Sequence, residues 1–255
     1  MKTAASLFLI FFLLLRAGSV GADSLELSGA STVANEIIAP LAEPFEAATG
    51  NTIKLQSIGT GKGMIALFQG KTKAAMTAES LDDALYTTRQ VAKKEGIAFT
   101  VPPGLVMTRL GKNRLILIVH QDNPVVELSR TQIKDIFTGK IGNWKELGGD
   151  DRPIQPITSV VGNAIRTVIQ RKVMDGEDYR TGIRETPVPG DAIPLVAKDQ
   201  GGVAVVSLSG WSAHHDKTRF VKTPDYDHPL GLVTIGPPNP EIQRLIGFIQ
   251  ANSRI

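Results

Sequence analysis

The chain has 255 residues, of which 28 are Lys or Arg and 25 are Asp or Glu, so its formal net charge at pH 7 is +3. The absence of Cys excludes disulfide bonds and thiolate metal sites. Aromatic residues make up 5% of the chain and form no stripe with clustered Arg or Lys, so we expect no nucleic-acid partner. A chain of this length can bury a core in one large or two smaller domains.

The N-terminus has the layout of a secretory signal peptide. An apolar run at residues 4–15 lies between Lys2 and Arg16, and small residues lead to a cleavage site before Asp23. The run is short for a membrane span, although an uncleaved anchor is the alternative. Removing residues 1–22 takes two of the 28 basic residues and leaves 26 against 25 acids, a net charge of +1. With no Cys for lipid attachment, we expect a soluble periplasmic protein.

Strands and helices alternate along the rest of the chain. Apolar alternation and short apolar runs predict strands at residues 25–28, 53–58, 115–120, 154–158 and 203–207. Apolar residues at helical spacing predict helices around residues 37–45, 65–68, 133–137, 165–173 and 242–249. Pro40 and Pro44 predict a kink or a restart in the first helix. This alternation favours an α/β fold with a largely parallel core.

Three strand-to-helix turns share small residues and a hydroxyl or amide side chain. They lie at residues 29–32, 59–63 and 162–164. Backbone amides at a helix start point out of the helix, and the helix dipole adds partial positive charge, so both favour an anion. Any one of these turns is typical of ordinary helix capping. The three together indicate a site for a small anion.

The sequence lacks the motifs of nucleotide-binding proteins and of common hydrolases. Gly63 follows Lys62 where a Walker A loop needs Ser or Thr, and G-x-S-x-G and H-E-x-x-H are absent. The His and Asp residues between 214 and 228 are interpreted as a solvated loop, with a metal cluster as the weaker alternative. We therefore expect no enzyme activity, no cofactor and no metal.

Several segments together resemble the phosphate-binding proteins of ABC transporters. The first two ligand loops of that family resemble GASTV at residues 29–33 and GTGKG at residues 59–63. The start of the family's second domain resembles residues 115–124, and later segments resemble residues 135–149 and 196–203. The resemblance runs from about residue 25 to the end of the chain.

The resemblance implies two α/β lobes joined by crossover strands, with a ligand cleft that closes like a hinge. Residues 23–114 and 216–255 would form the first lobe, and residues 115–215 the second. The implied function is capture of phosphate or a related small oxyanion by a monomeric periplasmic protein that serves an ABC permease. The alternative is a periplasmic sensor or scaffold of the same fold that binds another small ligand or a membrane partner.

The resemblance also implies a set of ligand residues. Thr32 and Thr60 stand where the family places hydroxyl donors, and Glu79 stands where it uses an aspartate to accept the ligand's proton. The implied set is Ala30, Ser31, Thr32, Thr60, Gly61, Glu79, Ser159, Gly162, Asn163 and Ala164.

The second lobe departs from the family's ligand motif. Ser159 stands where the family has an arginine, and residues 163–165 replace its Ser-Gly-Thr. Each lost charge-assisted hydrogen bond removes about 1.5–3 kcal/mol, which is roughly tenfold to a hundredfold or more in affinity. Lys62 or Arg166 could supply a replacement charge, or the pocket could take a less charged ligand; the sequence leaves both open.

Overall fold

The computed structural model describes residues 24–252, so the signal peptide predicted at residues 1–22 lies outside the described residues. The strands are β1 (Ser24–Gly29), β2 (Thr52–Gln56), β3 (Ala74–Thr77), β4 (Leu105–His120), β5 (Gln155–Ser159), β6 (Arg184–Thr186), β7 (Gly202–Ser207) and β8 (Thr218–Ile235). The α-helices are α1 (Ala39–Thr49), α2 (Thr60–Phe68), α3 (Leu81–Glu95), α4 (Arg130–Thr138), α5 (Ala164–Lys172), α6 (Ala192–Lys198), α7 (Leu208–Ala213) and α8 (Pro240–Asn252). A π-helix, Val33–Ile38, precedes α1, and 3-10 helices occupy Trp144–Leu147 and Pro189–Asp191.

The strands form one mixed sheet in the order β2-β1-β3-β8-β4-β7-β5-β6. The pairings toward both ends are parallel, whereas β8 runs antiparallel to β3 and β4, and β4 runs antiparallel to β7. The prediction of a largely parallel core is therefore wrong for the centre of the sheet. The reason is that the chain passes from the first lobe to the second along β4 and returns along β8. These two strands are long, with 16 and 18 residues.

Each end of the sheet packs its own apolar core, which gives the predicted two-lobe α/β architecture. The first core is built around fully buried side chains of β1, α1, β3, β8 and α8, including Leu27, Phe45, Met76, Leu232 and Ile249. The second core is built around β4, α4, α5 and β7, including Leu117, Ile133, Phe137, Trp144 and Val203. Removing these side chains from water supplies the main driving force for folding each lobe.

Local signals in the sequence set most helix boundaries. The first helical segment restarts at Ala39 with Pro40 in its first turn, as expected, and ends at Gly50 in the left-handed conformation (φ 73°). Ser129 caps α4 and forms a capping box with Gln132. Asn239 accepts a hydrogen bond from the Ile242 amide (2.9 Å) at the start of α8.

Three boundaries differ from the prediction. β2 ends at Gln56 rather than at 58, and α2 begins at Thr60, so residues 61–63 lie inside the helix. β4 begins at Leu105, ten residues before the predicted strand. Its first part carries the charged residues Arg109, Lys112 and Arg114 on a partly exposed face. For this reason the positions of apolar residues do not predict a strand there. None of the helices in the described range is long and apolar enough to cross a membrane.

β8 occupies residues predicted partly as loop and connects the two lobes. Its first part, Thr218–Val221, pairs with 117–120, which were predicted for the second lobe, and its last part pairs with 105–111. Residues 216–255 were predicted for the first lobe, so the observed pairing places the start of this segment beside the second lobe.

Candidate functional site

One side of the candidate site is formed by the ends of β1 and β3 and the starts of two helices. Gly29 ends β1 with φ +143°, and a Cβ there would lie 2.1 Å from the Met76 carbonyl oxygen. A glycine is therefore needed for β1 to approach β3 this closely. The residues that follow, Ala30, Ser31 and Thr32, are buried and lead into the π-helix. We call Ser31, Thr32, Thr60 and Glu79 the first side of the site.

Thr60 and Glu79 bring polar atoms to this side that are fully buried. Thr60 is the first residue of α2, and its Oγ1 has no hydrogen-bond partner within residues 24–252. Glu79 follows β3; its Oε2 accepts a hydrogen bond from Thr87 Oγ1 (3.0 Å), while its Oε1 lacks a partner in the described part of the chain. Buried polar atoms are nearly always paired in folded proteins, so unpaired ones need a specific explanation such as a ligand.

The second side of the site, Ser159, Gly162, Asn163 and Ala164, is formed by the end of β5 and the start of α5. The Ser159 hydroxyl is buried without a partner among the described residues. Asn163 caps α5, because its Oδ1 accepts a hydrogen bond from the Ile165 amide (3.2 Å). Asn163 therefore uses its acceptor within its own lobe.

A seam of glycines brings the two sides into direct contact. The Gly61 amide donates a hydrogen bond to the Gly162 carbonyl (3.2 Å), so these two predicted ligand residues contact each other. A Cβ at Gly59 would lie 2.9 Å from the same carbonyl oxygen, and a Cβ at Gly61 or Gly162 would lie 2.6 or 2.7 Å from Val91. Backbone from both lobes can approach this closely because no side chain lies between them.

Hydrogen bonds and an ion pair between α3 and α5 extend this contact. The hydroxyls of Thr87 and Thr167 lie 2.6 Å apart, and both residues are buried. Arg171 of α5 forms an ion pair with Asp83 of α3. The structure therefore has the two sides of the site closed onto each other.

Burial controls the protonation of Glu79. Desolvation raises the pKa of this carboxyl from 4.5 to about 8, and nearby Asp83 adds to the increase. The hydrogen bond from Thr87 and the charge of Arg171 lower the pKa by less, as does the Thr60 hydroxyl, which lies near the same carboxyl but not in hydrogen-bonding geometry. At pH 7 the carboxyl is therefore mostly protonated, and a neutral carboxyl can donate a hydrogen bond as well as accept one.

His228 is a buried polar residue beside the site that the sequence interpretation missed. The sequence pattern predicts a solvated loop here, but His228 lies on β8, is 1% exposed, and its Nδ1 donates a hydrogen bond to the carbonyl of Ala78. Burial lowers its pKa to about 4, so at pH 7 the ring is neutral. Because a carbonyl accepts only, Nδ1 carries the proton and Nε2 is an acceptor, unpartnered within the described chain. Alternation with buried Leu230 and Leu232 could have revealed this strand.

The two cations proposed as replacements for the missing arginine are both engaged elsewhere. Lys62 lies 2.8 Å from Glu95 and is about half exposed, so it belongs to a solvated helix face. Arg166 donates to Glu185 (2.7 Å) and to the Ser159 carbonyl (2.9 Å), with its guanidinium 4.5 Å from the Tyr179 ring centre. Arg166 therefore fixes the backbone behind the second side, and Glu185 balances its charge.

The acidic and histidine residues between 214 and 228 do not form a metal site. His214 and His215 are exposed beyond α7, whereas Asp225 and Asp227 lie on β8 and pair with Arg114 and Lys112. Across residues 24–252 there is no group of three His, Cys, Asp or Glu that could hold a metal ion.

Known proteins share both sequence and fold with this chain. The phosphate-binding protein PstS of Bacillus subtilis is 28% identical over 186 residues, which cover 73% of this chain and 57% of that protein. The chain thus spans little more than half the length of this relative. A substrate-binding protein assigned to a phosphate ABC transporter of Clostridium perfringens, solved with bound phosphate, is 25% identical with a TM-score of 0.75, covering 90% of this chain and 94% of that one.

A second solved structure supports the same fold. The ABC-type phosphate transport receptor of Vibrio cholerae is 21% identical with a TM-score of 0.68, covering 89% of this chain and 94% of that chain. The family model of the PBP superfamily domain matches residues 16–244, which is most of the sequence. The fold, the cleft and this match together establish that the chain belongs to the PBP superfamily.

Proposed function

We propose that this protein is a solute-binding protein that captures phosphate or a related small oxyanion for an ABC transporter. The observation that carries the proposal concerns the six buried side-chain polar atoms without a protein partner within the described residues. Four of them belong to the candidate site: Thr60 Oγ1, Glu79 Oε1, Ser159 Oγ and His228 Nε2. Leaving such an atom unpaired costs about 1–3 kcal/mol, so a ligand that pairs several of them gains substantial binding energy.

The chemistry of these groups suits a protonated oxyanion. The two hydroxyls and the starts of the π-helix, α2 and α5 offer donors and partial positive charge to oxyanion oxygens. His228 Nε2 and Glu79 can accept a hydrogen bond from a ligand hydroxyl. The Glu79 carboxyl is mostly neutral at pH 7 because of its raised pKa of about 8, so it does not repel an anion. The names of the similar proteins make phosphate the first ligand to test.

We propose Ala30, Ser31, Thr32, Thr60, Glu79, Ser159, Asn163 and Ala164 as residues that line the ligand, and add His228. Gly61 and Gly162 belong to the same site through the contact that closes it, since they bond to each other. The proposed role of Arg166 is to position the Ser159 backbone rather than to touch the ligand.

The transport role adds further proposals. The protein is expected to act as a monomer in the periplasm after signal-peptide cleavage, to deliver its ligand to an inner-membrane permease, and to bind without catalysis.

For the lobes, we propose that the chain returns to the first lobe within β8 rather than at residue 216, because Thr218–Val221 pair with the second half of β4. We propose that the chain first passes from the first lobe to the second near residue 114.

Isothermal titration calorimetry of the mature protein tests the binding proposal. Phosphate, arsenate, sulfate and a set of small organic acids are titrated separately at pH 7, after exhaustive dialysis to remove copurified ligand. We expect saturable binding of phosphate and arsenate and weaker binding of sulfate, which carries no proton at this pH. No binding of any oxyanion would reject the proposal and favour the sensor or scaffold, which a pull-down from the periplasmic fraction would then test.

A further inference from the structure

A cavity of about 770 Å³ adjoins the proposed anion site. Ser31 and Thr32, from the first side of the site, form part of its lining, whereas Thr60, Glu79 and Ser159 do not. The cavity therefore begins at the start of the π-helix and extends away from the buried polar atoms.

The lining of this cavity comes from both lobes and includes six apolar side chains. The apolar part is formed by the segment before α6, by α6 and by α7: Val188, Pro189, Ile193, Pro194, Ala197 and Ala213. Four exposed charged residues also line the cavity, two cations and two carboxylates: Lys198, Lys217, Asp191 and Asp216. Predominantly apolar linings with a few placed polar groups are typical of sites for organic ligands.

Glu36 is the acidic residue of the cavity on the first-lobe side, and its oxygens are already hydrogen-bonded. Oε1 accepts from Ser207 (3.0 Å), and Oε2 accepts from Asn113 (2.9 Å) and Ser209. These donors reduce the repulsion that the carboxylate would exert on an anion at the neighbouring helix start. They also hold that carboxylate toward α7.

The size of the cavity exceeds what a bare oxyanion needs. Sites for organic ligands occupy roughly 300–1,000 Å³, and about 770 Å³ lies within this range. A tetrahedral oxyanion is smaller than most side chains, so phosphate alone would leave the apolar lining in contact with water. An organic group joined to the oxyanion would cover that lining and gain about 25 cal/mol for each Å² of apolar surface buried.

We infer that the ligand is a monosubstituted phosphorus oxyanion, with the oxyanion at the helix starts of the anion site and an organic group in the adjoining cavity. The inference rests on the proposed function, because it places the oxyanion in the same site. It changes the ligand class from an inorganic ion to an organic phosphonate or phosphate monoester.

Paired titrations of the mature protein with inorganic phosphate and phenylphosphonate test the inference. Phenylphosphonate is chosen because its carbon–phosphorus bond resists hydrolysis, so no phosphate is released during the measurement. We expect phenylphosphonate to bind at least tenfold more tightly than phosphate.

An Ala197→Phe variant tests where the phenyl group lies. Ala197 is half-buried on α6 and lines the cavity, so a phenylalanine there fills the proposed space. We expect at least a tenfold loss of phenylphosphonate affinity and less than a twofold change for phosphate. Ala47→Phe, at an exposed alanine of α1, is the matched control and should change neither. Ala213→Phe fills the cavity from α7 and replaces the first variant should that one fail to fold.

The outcomes separate the inference from the proposed function. Tight phosphate binding with phenylphosphonate equal or weaker would overturn the organic ligand and leave the oxyanion site intact. Equal losses for both ligands in Ala197→Phe would also overturn the inference, because the cavity would then not be specific to the organic group. Absence of binding by both ligands would overturn the proposed function itself.

Discussion

The two sides of the cleft use their polar groups differently. On the first side, Thr60 Oγ1 and Glu79 Oε1 are buried and unpartnered within the described residues. On the second side, Asn163 caps its own helix and the Gly162 carbonyl accepts from Gly61, which leaves Ser159 Oγ as the unpartnered atom of this side in the described chain. Arg166, the cation nearest in sequence, is bound to Glu185.

This difference indicates that the two lobes contribute to ligand binding in different ways. The first side supplies donors, a helix dipole and a neutral carboxyl that can respond to the ligand. The second side supplies one hydroxyl, the start of α5 and a closely fitting backbone surface that completes the enclosure. Exclusion of water strengthens the hydrogen bonds made by the first side. Binding should therefore depend on closure at the glycine seam and on the hydroxyls of the first side more than on any single charge.

The largest effect is expected from blocking the glycine seam. In Gly59→Ala, the added Cβ would lie 2.9 Å from the Gly162 carbonyl oxygen across the cleft. Since the lobes could no longer close fully, we expect phosphate affinity measured by calorimetry to fall by at least a hundredfold.

Gly176→Ala is the matched control for this variant. Gly59 and Gly176 have φ angles of +83° and +82°, but a Cβ at Gly176 meets nothing within 4 Å in the described structure. Both substitutions place Ala at a positive φ, which should cost on the order of 1 kcal/mol of stability. Gly59→Ala should cost more, because ψ at Gly59 is 154°, a conformation essentially confined to glycine. Phosphate affinity is therefore compared at a temperature where both variants are folded. If both weakened phosphate binding equally, contact at the seam would not be needed for binding.

Removing a hydroxyl of the first side should have the next largest effect. Thr60→Val keeps the shape of the side chain but deletes the buried Oγ1. A hydrogen bond to a charged ligand is worth about 1.5–3 kcal/mol, so we expect phosphate affinity to fall by roughly tenfold to a hundredfold in calorimetry.

Thr88→Val provides the comparison for Thr60→Val. Thr88 is also fully buried, but its hydroxyl donates to the Ala84 carbonyl (2.6 Å) inside α3. This variant should lower the melting temperature without changing the dissociation constant for phosphate. An unchanged dissociation constant in Thr60→Val would remove Thr60 from the ligand site.

Glu79→Gln should change the pH dependence of binding more than binding at pH 7. The pKa of Glu79 is about 8, so ionisation above that pH places a negative charge beside the ligand and weakens anion binding. The ratio of wild-type to Glu79→Gln dissociation constants should rise about tenfold between pH 7 and 9, and taking this ratio cancels the titration of phosphate itself. A ratio that stays flat would contradict ionisation of Glu79 in the site.

The same carboxyl makes folding stability depend on pH. Because the folded pKa of about 8 exceeds the ordinary value of 4.5, the ligand-free wild type should lose stability as pH rises from 4.5 to 8, by about 1.4 kcal/mol for each unit of the difference. Chemical denaturation across this range should show a smaller loss for Glu79→Gln. Equal slopes in the two proteins would show that the carboxyl is not held neutral by burial.

The smallest effect is expected at Lys62. This lysine is about half exposed and pairs with Glu95 at 2.8 Å, and such surface pairs contribute little energy. Lys62→Met and Glu95→Gln should each change phosphate affinity by less than twofold in the same titrations. A tenfold loss in Lys62→Met alone would restore Lys62 as a replacement for the missing arginine.

The sequence predicted the fold, and the positions of Thr32 and Thr60 at helix starts, because both depend on local signals. Apolar periodicity located β1, α4 and β7, and the glycine-hydroxyl turns located Thr32 and Thr60 at helix starts. The long crossing strand β4 is predicted only from residue 115, because its earlier part carries Arg109 and Lys112 at exposed positions. A strand solvated on one face normally shows apolar and polar residues in alternation, but the register shift between Arg109 and Gly111 interrupts that alternation in β4.

The parts of the site that the sequence could not predict depend on contacts between distant segments. In the sequence, His228 belongs to a charged stretch that is typical of a solvated loop. In the structure, β8 brings it into contact with Ala78, which lies 150 residues earlier in the chain. The partner of Arg166 is Glu185, which becomes adjacent because β6 pairs with β5. The contact between Gly61 and Gly162 likewise requires the closed arrangement of two lobes.

The central claim is that the buried polar atoms form the anion site. A structure determined from crystals of the mature protein soaked in arsenate tests it most directly, because arsenic can be located from its anomalous scattering. We predict one arsenate in the cleft, with oxygens about 2.5–3.0 Å from Thr60 Oγ1 and Ser159 Oγ, the usual distance for hydroxyl hydrogen bonds. An arsenate bound elsewhere, with ordered water on both hydroxyls, would contradict the claim that these buried atoms form the anion site.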